Sequence, residues 1–201
     1  FKINNSNYKV IAPKISNNEG VYQLSRWKFP NLITTIFGFL YLDNLLLNKN
    51  YFYKTKNEIF EAECVSGAAM LINKKLGIKV GLFNESLFWD EDIDFCKRLS
   101  KHEFKILYFP HAEVIHYGGM SSKQEPFIKV SNQFLSKIKY FQLHHSKIEQ
   151  YIIYFVIILV VIVKIPITLL LSPFKKNLYK RFDAYCKTLI LLIKRDFKIQ
   201  L

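Results

Sequence analysis

The chain has 201 residues, half of them apolar or aromatic, and a formal net charge of +13. That is enough apolar material to bury a core and enough length for one domain with an appendage. Three widely spaced cysteines (Cys64, Cys96 and Cys186) and the absence of a CxxC pair exclude a disulfide framework or a cysteine metal cage and fit a reducing compartment.

The positive balance favours anionic partners: a bilayer surface, nucleotide diphosphates or nucleic acid. Abundant Lys, Asn, Ile, Phe and Tyr are also what an AT-rich genome produces, which accounts for part of the excess. No recognition helix, RNA-binding aromatic signature or zinc finger supports a nucleic-acid partner. Phe1-Lys2-Ile3-Asn4-Asn5 lacks both an initiator Met and the basic start and apolar core of a signal peptide.

In chain order, Tyr8–Pro13 reads as a short buried strand ended by Pro13. Asn17-Asn18-Glu19-Gly20 is turn chemistry, and Val21–Leu24 returns as a strand, so 8–24 is expected to be a strand, a hairpin-like turn and a strand. Pro30 and Asn31 punctuate before an apolar helix over 32–47, and 48–57 is a polar, aromatic loop. Glu58–Val65 reads as a strand leading into Ser66-Gly67-Ala68-Ala69, where small residues let another backbone or a ligand come close.

The acidic run Asp90-Glu91-Asp92-Ile93-Asp94 opens a helix over Asp90–Lys101 with Ile93, Cys96 and Leu99 at helical spacing. Acids at its start and Lys97, Arg98 and Lys101 towards its end suit the helix dipole. Four carboxylates in five residues, beside Phe88, Trp89 and Phe95, repel one another and lose solvation. Both effects favour the neutral acid, the condition of a general base working near neutral pH. Ordinary helix capping explains the same run. Phe104–Phe109 and Ala112–His116 read as two strands broken at Pro110, ending at Tyr117-Gly118-Gly119.

Residues 151–172 are long and apolar enough to cross a bilayer. Lys164 and Pro166 interrupt the stretch, and both flanks are basic, which places both ends in the cytoplasm. A helix bent at Lys164–Pro166 and lying in the interface satisfies this better than a straight span. A second interfacial helix is expected over 185–193, and a soluble core helix is the plain alternative for 151–172.

The stretch 62–122 resembles the second half of family 2 (GT-A type) glycosyltransferases, above all the rhamnosyltransferase-like branch. The matching residues are Gly67-Ala68 with Met70-Leu71, Gly81-Leu82-Phe83-Asn84-Glu85, Glu91-Asp92 with Asp94, Cys96 and Arg98, and Pro110, Ala112, Val114-Ile115-His116, Gly119 and Ser121. Ser25-Arg26-Trp27-Lys28-Phe29-Pro30 is similar to a further segment of that family. Asn84 departs from the family's Asp, and a short linker between Phe88 and Glu91 leaves open whether Asp90 exchanges roles with Asp92.

The resemblance implies an α/β fold: the C-terminal part of a GT-A, Rossmann-like domain over 1–147, followed by a membrane-associated helical tail over 148–201. It implies an inverting transfer of a sugar from a nucleotide-sugar to a lipid-linked or polysaccharide acceptor at the cytoplasmic membrane face. Asp92 would be the general base, and Glu91 would orient it or contact the acceptor. Gly67, Ala68, Glu85, Trp89, Asp90 and Arg98 would line the acceptor side, together with loop 48–57. An ion pair is the favoured reading of Arg98, and a structural role that of Asp94. His116 would complete a Mg²⁺ or Mn²⁺ site whose main carboxylates lie upstream of Phe1, with the nucleotide-binding half. A non-catalytic, membrane-bound acceptor-binding module is the alternative.

Overall fold

In the chain's computed structural model, residues 8–42, 57–117, 126–174 and 176–197 are described. Residues 43–56, and Gly118 and Gly119 of the expected terminal loop, lie outside them. The protein is mixed α/β, and its residues cluster into two units interleaved along the chain. One is formed by 1–34, 43–84 and 91–120, and the other by 35–42, 85–90 and 121–201.

In the first unit, β1 (Tyr8–Ser16) pairs in parallel with β7 (Lys105–Ile115). On the other edge of β1 lie β2 (Tyr22–Gln23) and β6 (Leu71–Ile72), both antiparallel, and β4 (Phe60–Ala62) closes the far side of β7. A separate two-stranded ladder joins β3 (Arg26–Trp27) to β5 (Cys64–Val65).

The strand–turn–strand reading of 8–24 is found, with Asn17 Oδ1 accepting from the amides of Glu19 and Val21 and Gly20 at φ +74°. Two strand boundaries differ from expectation. β1 continues through Pro13 to Ser16, and β7 runs unbroken through Pro110. Both prolines sit at one irregularity: Pro13 stands opposite Phe109, but Lys14 stands opposite Glu113. Residues 110–112 therefore bulge out of the ladder there, and the N–H that Pro110 lacks costs no ladder bond. The strand expected over 58–65 divides into β4 and β5 around Glu63.

Helix α1 (Leu32–Phe39) is shorter than the 32–47 reading within the described residues. Helix α2 (Lys74–Val80) is capped by Asn73, whose side chain accepts from the Leu76 amide, and ends at Gly81 with φ +78°. Helix α3 (Glu91–Lys101) turns Ile93, Phe95, Cys96 and Leu99 into the core against β5 and β7. There they join Val10, Val65, Ile106 and Tyr108, all nearly solvent-free. Each such side chain contributes about 1.5–3 kcal/mol of burial free energy.

The second unit contains α4 (Pro126–His144), α5 (Lys147–Leu171) and α6 (Lys176–Ile193). No element was expected over 126–144. Yet Val130, Phe134, Leu135, Ile138 and Phe141 recur there at helical spacing and are buried. α5 begins at Lys147 with a reciprocal capping box between Ser146 and Glu149 and stays helical through Pro166. Tyr154, near its start, donates to the Leu192 carbonyl near the end of α6 at 2.8 Å, so the two helices run antiparallel.

Candidate functional site

The β3–β5 ladder brings Ser66 beside Ser25, where its amide donates to the Ser25 carbonyl at 2.8 Å. The Ser66 hydroxyl then accepts from the Ala68 amide at 3.3 Å, folding Ser66-Gly67-Ala68 into a tight exposed turn. Beneath it, Cys96 is buried with its thiol 3.9 Å from the Val65 carbonyl, which seats α3 under the same ladder.

This seating points the first turn of α3 at the small-residue turn. Gly67 donates its amide to Asp92 Oδ2 at 2.9 Å, and Asp92 Oδ1 accepts from the Ile93 amide at 2.8 Å. A Cβ at position 67 would stand 3.3 Å from the Asp92 Cβ, so the absence of a side chain is what lets carboxylate and turn meet. Asp92 is half-buried beside the exposed Gly67 and Ala68, and Glu91 is half-buried in the same first turn. A carboxylate oriented by two amides at a surface turn can accept a proton from a bound hydroxyl.

The other acids have structural partners. Asp94 is buried and takes both Nε and Nη2 of Arg98 at 2.9 Å. The remaining donors of Arg98 reach the carbonyls of Val80, Gly81 and Leu82, so all five of its N–H groups are engaged in pinning α3 to the end of α2. The guanidinium keeps no donor for a diphosphate in this arrangement.

Asp90 precedes the helix and belongs to the second unit. It is buried, and Lys137 of α4 donates to its Oδ1 at 2.8 Å. The segment 86–90 is clamped onto α4 by three neighbouring side chains. Ser136 Oγ accepts from the amides of Phe88 and Trp89, Lys137 holds Asp90, and Lys139 donates to the Ser86 carbonyl at 2.9 Å. Burial pushes the Lys139 ammonium below the usual lysine range. Trp89 stays 41% exposed, edge-on to Phe88, and Glu85 is exposed. Sequence reasoning missed Ser136, Lys137 and Lys139. The helical spacing of α4 was there to be read, but which polar residues would face 86–90 was not.

His116 directly follows β7 and is exposed. Its amide donates to the Ser16 carbonyl at 2.8 Å, and its Nδ1 lies 3.0 Å from Gln23 Oε1, tying the strand end to β1 and β2. Mg²⁺ and Mn²⁺ require a set of oxygen ligands, mainly carboxylates and waters. The nearest acid in sequence, Glu113, is engaged by Ser16 and Lys14. Among the described residues no group of three or more His, Cys, Asp or Glu is placed to hold a metal. These residues alone do not fit such an ion.

No protein-family model matches the chain, and searches of curated proteins and solved structures give no significant match.

Proposed function

We propose that the chain is the acceptor-side part of a family 2, GT-A type glycosyltransferase, acting on a lipid-linked or polysaccharide acceptor at a membrane surface. The observation that carries this reading is the meeting of Gly67 with Asp92. These residues come from two motif segments 25 positions apart, and the family resemblance rests on both. The ordered series from Gly67 to His116 adds to it.

In this reading Asp92 takes the proton of the acceptor hydroxyl as that oxygen attacks the anomeric carbon. The C–O bond to the new acceptor forms, the bond to the nucleotide diphosphate breaks, and the configuration inverts. The Gly67 amide and the first turn of α3 hold the carboxylate in position. Glu91 orients the acceptor from the same turn. Arg98, Asp94 and Asp90 support the architecture, and no step is routed through a metal. Donor recognition is assigned to no residue of this chain.

The exposed apolar surface of α5 supports attachment to a bilayer. The helix is long and apolar enough to cross a membrane, and only 28% of its most apolar stretch is buried. The antiparallel α6 carries Arg181, Asp183 and Lys187 alongside it, so a helix lying in the interface fits better than one buried across the bilayer.

The test is turnover by the full-length protein with a panel of nucleotide-sugars and a membrane lipid extract as acceptor. A glycosylated lipid whose new linkage has the opposite anomeric configuration to the donor is expected. No product with any donor, from folded and membrane-bound protein, contradicts the reading.

A further inference from the structure

The second unit contains a cavity of about 590 Å³ that no part of the proposed chemistry uses, walled by α1, α5 and α6. Ligand sites commonly span about 300–1,000 Å³. Its apolar wall includes Ile36, Leu40, Leu159, Val163 and Ile167. Leu159, Val163 and Ile167 are also 62%, 55% and 48% exposed, so the cavity opens onto the bare apolar face of α5.

Two cations stand in this apolar wall, Lys164 and Arg181, and among the described residues no carboxylate lines it. Lys164 is half-buried and interrupts the apolar sequence of α5, and where that helix meets lipid a cation is costly unless its charge is answered. It donates to the Tyr41 hydroxyl at 3.2 Å and has the rings of Tyr41 and Tyr185 at 4.8 and 5.7 Å. Aromatic rings answer part of the charge; an anion would answer the rest. Thr168 does not compete for that anion, because its hydroxyl donates back to the Lys164 carbonyl at 2.7 Å.

An apolar cavity with two cations in its wall, open along a membrane-prone face, has the complement of one kind of molecule. We infer that the cavity takes one acyl chain of an anionic phospholipid, with the lipid phosphate against Lys164 and Arg181. The inference does not rest on the transferase reading, since it concerns how the helical unit holds a membrane.

The experiment uses the full chain with vesicles of phosphatidylcholine, with or without phosphatidylglycerol, each doped with the corresponding lipid bearing a diazirine in one acyl chain. After irradiation, labelled peptides are mapped by mass spectrometry. Label from phosphatidylglycerol is expected on 36–41 and 156–168, and it falls roughly fivefold for each of Lys164→Gln and Arg181→Gln. Val163→Trp, a larger side chain at an exposed position in the cavity wall, removes this label. Label at Ile148 and Tyr151, on the exposed face away from the cavity, persists in all three variants and shows that they still fold and bind membrane. Equal cavity labelling by both lipids, label indifferent to the three substitutions, or a cavity filled instead by another polypeptide and left unlabelled would each overturn the proposal.

Discussion

Asp90 and Asp92 are two positions apart and have opposite surroundings. Asp90 is buried against Lys137, whereas Asp92 is half-buried beside an exposed turn and oriented by amides. The sequence left open which of them a base would be, because a slip of two residues in a short linker exchanges them. A pair as buried as Asp90–Lys137 is strongly destabilised when one partner goes, since the other charge stays desolvated. Lys137→Met should therefore cost about 3–5 kcal/mol in urea unfolding, and Asp90→Asn combined with Lys137→Met should recover a large part of it. Additive losses would show that the two do not form a coupled pair.

Arg26 poses a different problem. It is fully buried, lies over the rings of Tyr108, Phe60 and Tyr22, and donates to the Tyr22 hydroxyl; its Nε and Nη2 have no hydrogen-bond partner among the described residues. Burial pushes the Tyr108 hydroxyl up, with the Arg26 cation pulling the other way. A delocalised guanidinium suits an aromatic box better than a compact ammonium does. Arg26→Lys should lower the thermal midpoint, while Arg26→Met should be neutral or stabilising. The reverse order would mean that an anion shares the site.

At the scale of elements, α3 was readable because three independent signals agree: acids in its first turn, bases in its last, and Ile93, Cys96 and Leu99 on one face. The strands around the prolines were not. A proline ends a ladder only where its N–H is needed, and the bulge that spares Pro110 is set by the pairing of β1 with β7, which no local pattern records. That pairing is reinforced at its far end by Glu113, which accepts from Ser16 and pairs with Lys14 at 3.4 Å. The Ser16 hydrogen bond first, and Lys14 second, hold its carboxyl below the usual glutamate value of 4.5. A depressed folded-state value means that the contribution is complete above the ordinary carboxylate range and is lost as pH falls through the folded value. Wild-type stability should thus drop more than that of Glu113→Gln between about pH 6 and pH 3, by an amount that shrinks with salt. Parallel pH curves for the two proteins would remove Glu113 from the account.

For the whole molecule, the apolar stretch that became α5 was legible from composition, and the mixed α/β class followed from the family resemblance. The two interleaved units were not. Residues 35–42 and 85–90 join the helical unit although most of their chain neighbours belong to the other. The side chains that secure 86–90, namely Ser136, Lys137 and Lys139, come from about fifty residues further on. The interfacial reading of α5 makes its own prediction. Cysteines at Ile148 and Leu170, near its two ends and both 72% exposed, should react with an impermeant maleimide from the same side of a sealed vesicle. Reaction from opposite sides would establish a span.

The central claim is that Asp92, presented by the Gly67 turn, takes the acceptor proton. Its most direct test is Asp92→Asn in the complete enzyme, with transfer rate and donor affinity measured together. Transfer should fall by about 10²–10⁴-fold, as when a general base is removed, with donor affinity unchanged. Transfer at the wild-type rate by a folded Asp92→Asn protein would contradict it.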